Sequence, residues 1–207
     1  LPPEEQIKVA QLENPEDVAY REYLVKSYGK YKQMVSGIHY NFQLDPSAVK
    51  ALFEAQTEEK NLFNFQNNLY LKIAKNFLRY QWILLYLLAA TPTVDENYFR
   101  EGSPLRPQQY VRSLRSSPFG YVNDPEIKVS FDSLEAYVDS LEHWVNSGKL
   151  IAEKEFYSNV RLRGAKKARD LLQSGIQYLE FRLFDLNPFA ACGLLLEDAK
   201  FIHYFIL

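Results

Sequence analysis

A single cysteine, Cys192, in 207 residues has no partner for an internal disulfide and fits a reducing cytosol, so a cytoplasmic setting is expected. No apolar run is long enough to span a bilayer, which takes roughly 20 residues; the longest, residues 82–90, is short and contains Tyr86. An excess of one charge is missing too. The 24 Lys and Arg against 26 Asp and Glu leave a net charge of −2 and no global basic field, so neither nucleic acid nor membrane is an expected partner. Glycine-rich phosphate loops and serine nucleophile elbows are absent, as are repeats, low-complexity tracts and clear linkers. What is abundant is aromatic: 15 Tyr and 14 Phe. Tyrosine joins apolar area to a hydroxyl and suits the wall of a polar cavity as well as a core.

The pattern along the chain reads as one α+β unit spanning residues 1–207. Asn14, Pro15, Glu16 and Asp17 form a helix start, with a cap, proline at the first position and acids on the positive end; that helix is expected to run to about Gln33. Residues 34–44 alternate like a strand, with Ile38, Tyr40, Phe42 and Leu44 on the apolar face and Gly37, His39, Asn41 and Gln43 on the other. Asp45-Pro46 opens a second helix, and a long one is expected over 65–90, its aromatic residues at 80–86 packed in the core. Residues 91–130 read as an extended functional loop. Asp132 to Glu135 resembles a capping box before a helix whose face is Leu134, Tyr137, Val138, Leu141 and Val145, ended by Gly148. A strand at 155–163, a basic helix near 165–173 and a strand from Gln177 complete the pattern. Cys192 reads as a small buried hydrophobe. Leu1 is not an initiator methionine and the chain ends on apolar FIHYFIL, so both ends are expected to be truncations.

Each strand pairs an apolar face with one bearing reactive groups. The first offers His39 and Asn41, the second Tyr157 and Arg161, the third Glu180 and Arg182. Burying an unpaired charge costs several kcal/mol, so Glu180 and Arg182 need partners: each other across strands, or a metal and an anion. An imidazole and a carboxylate without thiolates suit Mg²⁺ or Mn²⁺ better than zinc, and an arginine fork fits phosphate or carboxylate. Bland readings stand beside these. His39 alone can be structural, Arg115 a surface charge in the loop, and Arg161, Arg163, Lys166, Lys167 and Arg169 a solvated face.

The blocks SGIHYNF at 36–42, RYQW to AATP over 79–92, SLRSSPFGY at 113–121, YSNVR at 157–161 and YLEFRLFDLNPF at 178–189 resemble the glutamate–cysteine ligase family, in the family's order and over nearly the whole chain. The RLRG and EFRLFDLNPF wording is most similar to the form that some bacteria fuse to an ATP-grasp glutathione synthetase domain. The resemblance implies a glutamine synthetase-like catalytic domain, present in part: a curved antiparallel sheet with outer helices. It implies glutamate, cysteine and ATP as substrates, joined through an acyl phosphate with Mg²⁺ or Mn²⁺. By motif, His39 and Glu180 resemble metal ligands, Arg115 and Arg182 contacts to the transferring phosphate, and Tyr121 and Tyr157 amino-acid contacts. Asn41 and Arg161 are placed as further substrate contacts. Asn159 stands where the family often has proline. The family's early acidic strand lies upstream of Leu1, and His39 with Glu180 alone are too few for an octahedral ion, so the segment by itself is expected to be inactive. A related ligase with another acceptor amine, or a non-catalytic module binding an amino acid or nucleotide, is the alternative.

Overall fold

A computed structural model describes residues 1–99, 107 and 109–207. The middle of the expected loop, 100–106 and 108, lies outside the described residues. In chain order the elements are α1 (Pro15–Tyr28), α2 (Lys30–Met34), β1 (Gly37–Phe42), α3 (Pro46–Ala55), α4 (Leu62–Leu88), α5 (Leu134–Asn146), β2 (Val160–Arg163), α6 (Leu171–Ser174), β3 (Tyr178–Asp185) and α7 (Leu196–Ile206). No helix among the described residues is long and apolar enough to cross a membrane.

The start signals act as their chemistry requires. The side chains of Asn14, Asp45, Asn61 and Ser133 accept from free amides in the first turns of α1, α3, α4 and α5. The expected first helix is broken, however. Gly29 takes φ 85°, a backbone that side-chain-bearing residues avoid, so α1 stops at Tyr28 and α2 is a separate turn. The expected basic helix is also mostly turn, with α6 its only regular part, and Gly164 before it packs too close to the Gly175 carbonyl for a Cβ.

The three strands form one antiparallel sheet in the order β1-β3-β2. Its apolar face carries Ile38, Tyr40 and Phe42 against Phe184, Phe181 and Leu179, with Val160 and Leu162 on the far side. Helix α4 covers this face through Tyr70, Leu71, Ala74 and Phe77; the Phe77 and Phe181 ring centroids lie 4.3 Å apart. Burial of Leu179 and Phe181 contributes about 1.5–3 kcal/mol each. The Tyr70 hydroxyl donates to Gln177 O at 2.9 Å and accepts from Leu44 N at 3.1 Å, tying the helix to one end of both strands. Trp82 and Tyr86, expected inside, face outward, since only one stripe of α4 meets the sheet. Cys192 is likewise exposed, on the turn after β3.

The register contains one irregularity. Ile38 pairs with Phe184 but Tyr40 with Phe181, so β3 spends one more residue than β1 over this stretch, a β-bulge at Arg182–Leu183. Beyond it Asp185 pairs with Gly37 and shares the polar face with Glu180 and Arg182.

Candidate functional site

The polar face of this sheet gathers the reactive residues of all three strands. Central to it, Glu180 has its Oε2 gripped by the Arg163 fork, Nε at 2.9 Å and Nη2 at 2.7 Å. Arg163 was expected in a solvated basic face; instead β2 pairs with β3 so that Arg163 and Arg161 flank Glu180. The other oxygen, Glu180 Oε1, lies 3.4 Å from Arg182 Nε and 3.6 Å from His39 Nδ1 and accepts no hydrogen bond. Among the described residues, the buried side-chain polar atoms without a hydrogen-bond partner are Glu180 Oε1 and Arg182 Nη1. An orphaned buried polar atom costs about 1–3 kcal/mol and needs an explanation.

His39 accepts from Arg182 Nε at 3.3 Å through Nε2, which puts its proton on Nδ1, toward Glu180. Burial and the adjacent Arg182 charge hold its pKa below the usual 6.5, against the opposing pull of Glu180. The imidazole is therefore neutral at pH 7. An NMR titration of the full-length protein is expected to place the His39 midpoint below 6.5, and Arg182→Ala to move it upward. A midpoint at or above that value in the unaltered protein contradicts this placement.

Arg115 is not a surface charge. Its guanidinium lies against Gly37 and donates to the carbonyls of Arg182 at 2.8 Å and Leu183 at 3.1 Å, the two residues of the bulge. Asp185 Oδ1 stands 3.7 Å from it. Asp185 reads from the sequence only as part of a turn signal, and nothing in the pattern shows that its carboxylate is buried.

Tyr121 and Tyr157 join hydroxyl to hydroxyl, with ring centroids 4.3 Å apart, and Tyr20 reaches Tyr157 at 3.4 Å. Burial pushes Tyr121 up to about 12 and Tyr157 further, so this wall is uncharged. Asn123 fixes Tyr157 by accepting from its amide and donating to Glu155 O at 2.8 Å. Arg161 donates to Phe156 O at 2.6 Å and Lys154 O at 3.1 Å.

His39, Arg115, Arg182, Tyr121 and Tyr157 line one cavity of about 370 Å³, with Gly37 in its wall. Three expected site residues do not line it. Glu180 is buried beside His39 and Arg182; Asn41 is exposed on β1 opposite Glu180; Arg161 is spent on the backbone that carries Tyr157. Asn159, standing where the resemblance often has proline, accepts from Arg182 N at 2.9 Å through its backbone carbonyl and donates its side-chain amide to Gln81 Oε1 at 2.8 Å. No group of three or more His, Cys, Asp or Glu among the described residues could hold a metal ion. The orphaned Glu180 oxygen suits a hard cation, but the one lone pair of neutral His39 is engaged by Arg182 and would have to be released, and together the two side chains offer only two donors of the six or more it takes.

A family model described as glutamate–cysteine ligase matches residues 1–150 and 143–207. The chain is 76% identical over 207 residues to a glutathione biosynthesis bifunctional protein of Mannheimia succiniciproducens and 46% identical over 204 residues to one of Enterococcus faecalis. It spans 27% of the length of each of these relatives. Among solved structures, a bifunctional glutathione synthetase from Pasteurella multocida is similar with a TM-score of 0.88 and 74% identity, over 97% of this chain and 26% of that one. A glutamate–cysteine ligase from Francisella tularensis, in complex with AMP, is similar with a TM-score of 0.73 and 26% identity, over 92% of this chain and 44% of that one.

Proposed function

This chain belongs to the glutamate–cysteine ligase family, and from that premise we propose that its polar sheet face is part of the site where a longer enzyme joins the γ-carboxylate of glutamate to the amine of cysteine, at the expense of ATP. The observation that carries this reading is the pair of orphaned buried atoms, Glu180 Oε1 and Arg182 Nη1, on neighbouring side chains of which Arg182 lines the cavity and Glu180 lies buried beside it. Oε1 is an acceptor without a donor, although Arg163 and Arg182 both stand against its carboxylate, and Nη1 is a donor without an acceptor. A nucleotide phosphate with its counter-cation would satisfy both.

The γ-carboxylate oxygen attacks the γ-phosphorus of ATP, the bond to the ADP oxygen breaks, and an acyl phosphate forms. The cysteine nitrogen then attacks the acyl carbon, phosphate leaves, and the amine loses its proton. Positioning and charge neutralisation do most of the work in such transfers. Arg182 offers its free Nη1 to the migrating phosphoryl oxygens, and Arg115 fixes the backbone beneath Arg182 while adding a second positive charge. The neutral hydroxyls of Tyr121 and Tyr157 can donate to a carboxylate or accept from an ammonium, which suits an amino-acid substrate. Asn41 borders the same face, and Arg161 serves by holding the Tyr157 segment. Mg²⁺ or Mn²⁺, held in part by His39 and Glu180, would neutralise phosphate charge, with its other donors supplied by the rest of the longer enzyme. A fused ATP-grasp domain that completes glutathione fits the small share of the bifunctional relatives that this chain spans.

In the full-length protein, glutamate, cysteine, ATP and Mg²⁺ should yield γ-glutamylcysteine and ADP in equal amounts. Glu180→Gln should lower that rate at least about 100-fold, the scale of losing an electrostatic contact to the transition state. ADP release without the dipeptide, or an unchanged rate in Glu180→Gln, would sink the proposal.

A further inference from the structure

We propose that Asp185 is a positioning residue that acts on this reaction through Arg115. Its side chain is fully buried, yet it lies at the end of β3, away from the Glu180 network. Oδ2 accepts from the Ala90 amide at 3.0 Å and the Thr91 hydroxyl at 2.8 Å; Oδ1 accepts from the Ser113 hydroxyl at 3.1 Å. These donors stand on either side of residues 92–112. Thr91 and Ser113 also form a β-bridge, with Leu114 N donating to Thr91 O at 2.8 Å. The carboxylate thus ties Ala90, Thr91 and Ser113 together at the end of β3, and Arg115 is two residues beyond Ser113.

The same carboxylate faces the Arg115 guanidinium at 3.7 Å. Arg115 is wedged between Gly37 and the bulge carbonyls, largely removed from water, where burial disfavours its charge and Asp185 offsets that. One side chain therefore does two things for Arg115: it anchors the segment that carries it and supplies the negative charge that keeps the guanidinium in place. Amide for carboxylate separates these. Asparagine at 185 can still accept from Ala90 and Thr91, but its NH₂ would replace Oδ1 and present a donor to the Arg115 cation.

The inference rests on the proposed ligase reading, and a double-mutant cycle in the full-length protein tests the two separately. Alone, Asp185→Asn should lower kcat/KM for γ-glutamylcysteine formation by about 10–100-fold, the scale of a displaced positioning group. In an Arg115→Ala background the same change should cost less than about twofold, because the group it acts through is gone. An equal loss in both backgrounds makes Asp185 merely structural and overturns the inference, as does no loss in either. Normal activity in Arg115→Ala alone overturns the role given to Arg115 and the inference with it. Should Asp185→Asn fail to fold, Ser113→Ala removes one of its donors and carries the same cycle. Its loss should also vanish in the Arg115→Ala background, and a persistent loss refutes the coupling.

Discussion

Alanine at Arg182 in the full-length protein is expected to lower γ-glutamylcysteine formation by about 10²–10³-fold, the loss typical when one preorganised donor to a developing charge is removed. Three observations set this expectation. Arg182 Nη1 is buried and unpaired, so in the absence of an anion it sits at a cost that a phosphoryl group removes. Its Nε reaches both Glu180 Oε1 and His39 Nε2, so it also orients the two candidate metal donors. Its backbone is held from two sides, by Asn159 O on its amide and Arg115 on its carbonyl, so the side chain starts from a fixed point. Lysine at 182 should recover little, because a single ammonium cannot replace a planar fork that meets His39, Glu180 and an anion together. Initial rates from coupled ADP release and direct detection of the dipeptide check this; a fall of less than about fivefold in Arg182→Ala would remove Arg182 from the reaction.

The second large effect is expected at a residue with no side chain. A Cβ on Gly37 would lie 2.3 Å from Arg115 Cζ, so Gly37→Ala must push the guanidinium off the bulge carbonyls. The clash is with the end of a flexible side chain, and Gly37 is not among the positive-φ glycines, so alanine meets no backbone strain there. The fold should survive while kcat/KM drops about 10²-fold, as far as Arg115→Ala takes it. The double variant should be no worse than Arg115→Ala alone. Near-normal activity in Gly37→Ala, or a further loss in the double variant, would show that Arg115 does not need this seat. Circular dichroism and thermal unfolding separate the outcome from misfolding.

Much of the architecture is legible because its signals are local. Asn14-Pro15, Asp45-Pro46 and Ser133 start helices where cap chemistry dictates, and strict alternation marks β1 and the first half of β3. The α+β class and the polar sheet face follow from those. What stayed hidden depends on contacts remote in sequence. Arg163 reads as one cation in a basic cluster until β2 is set beside β3, 17 residues away in sequence, and becomes the partner of Glu180. Asp185 meets donors 72 and 94–95 residues distant, which no window can reveal. Trp82 and Tyr86 misled because α4 is apolar on more than one side, and composition does not say which stripe the sheet covers. Gly29 breaks the first helix through a positive φ, and helix-compatible residues lie on both sides of it.

The extra residue in β3 has a consequence for how substitutions and gaps compare here. Side chains change faces at every step of a strand, so one added step inverts the phase of everything beyond it. With it, Glu180, Arg182 and Asp185 all address the cavity side while Phe181 and Phe184 address the helix. Remove Leu183 and the ladder becomes regular, with Phe184 still opposite Ile38 and Asp185 still opposite Gly37, so both faces survive. What goes is one of the two bulge carbonyls that Arg115 grips. A one-residue gap at this point would look mild in an alignment, and for the sheet it is; its cost falls on the seat of a single guanidinium.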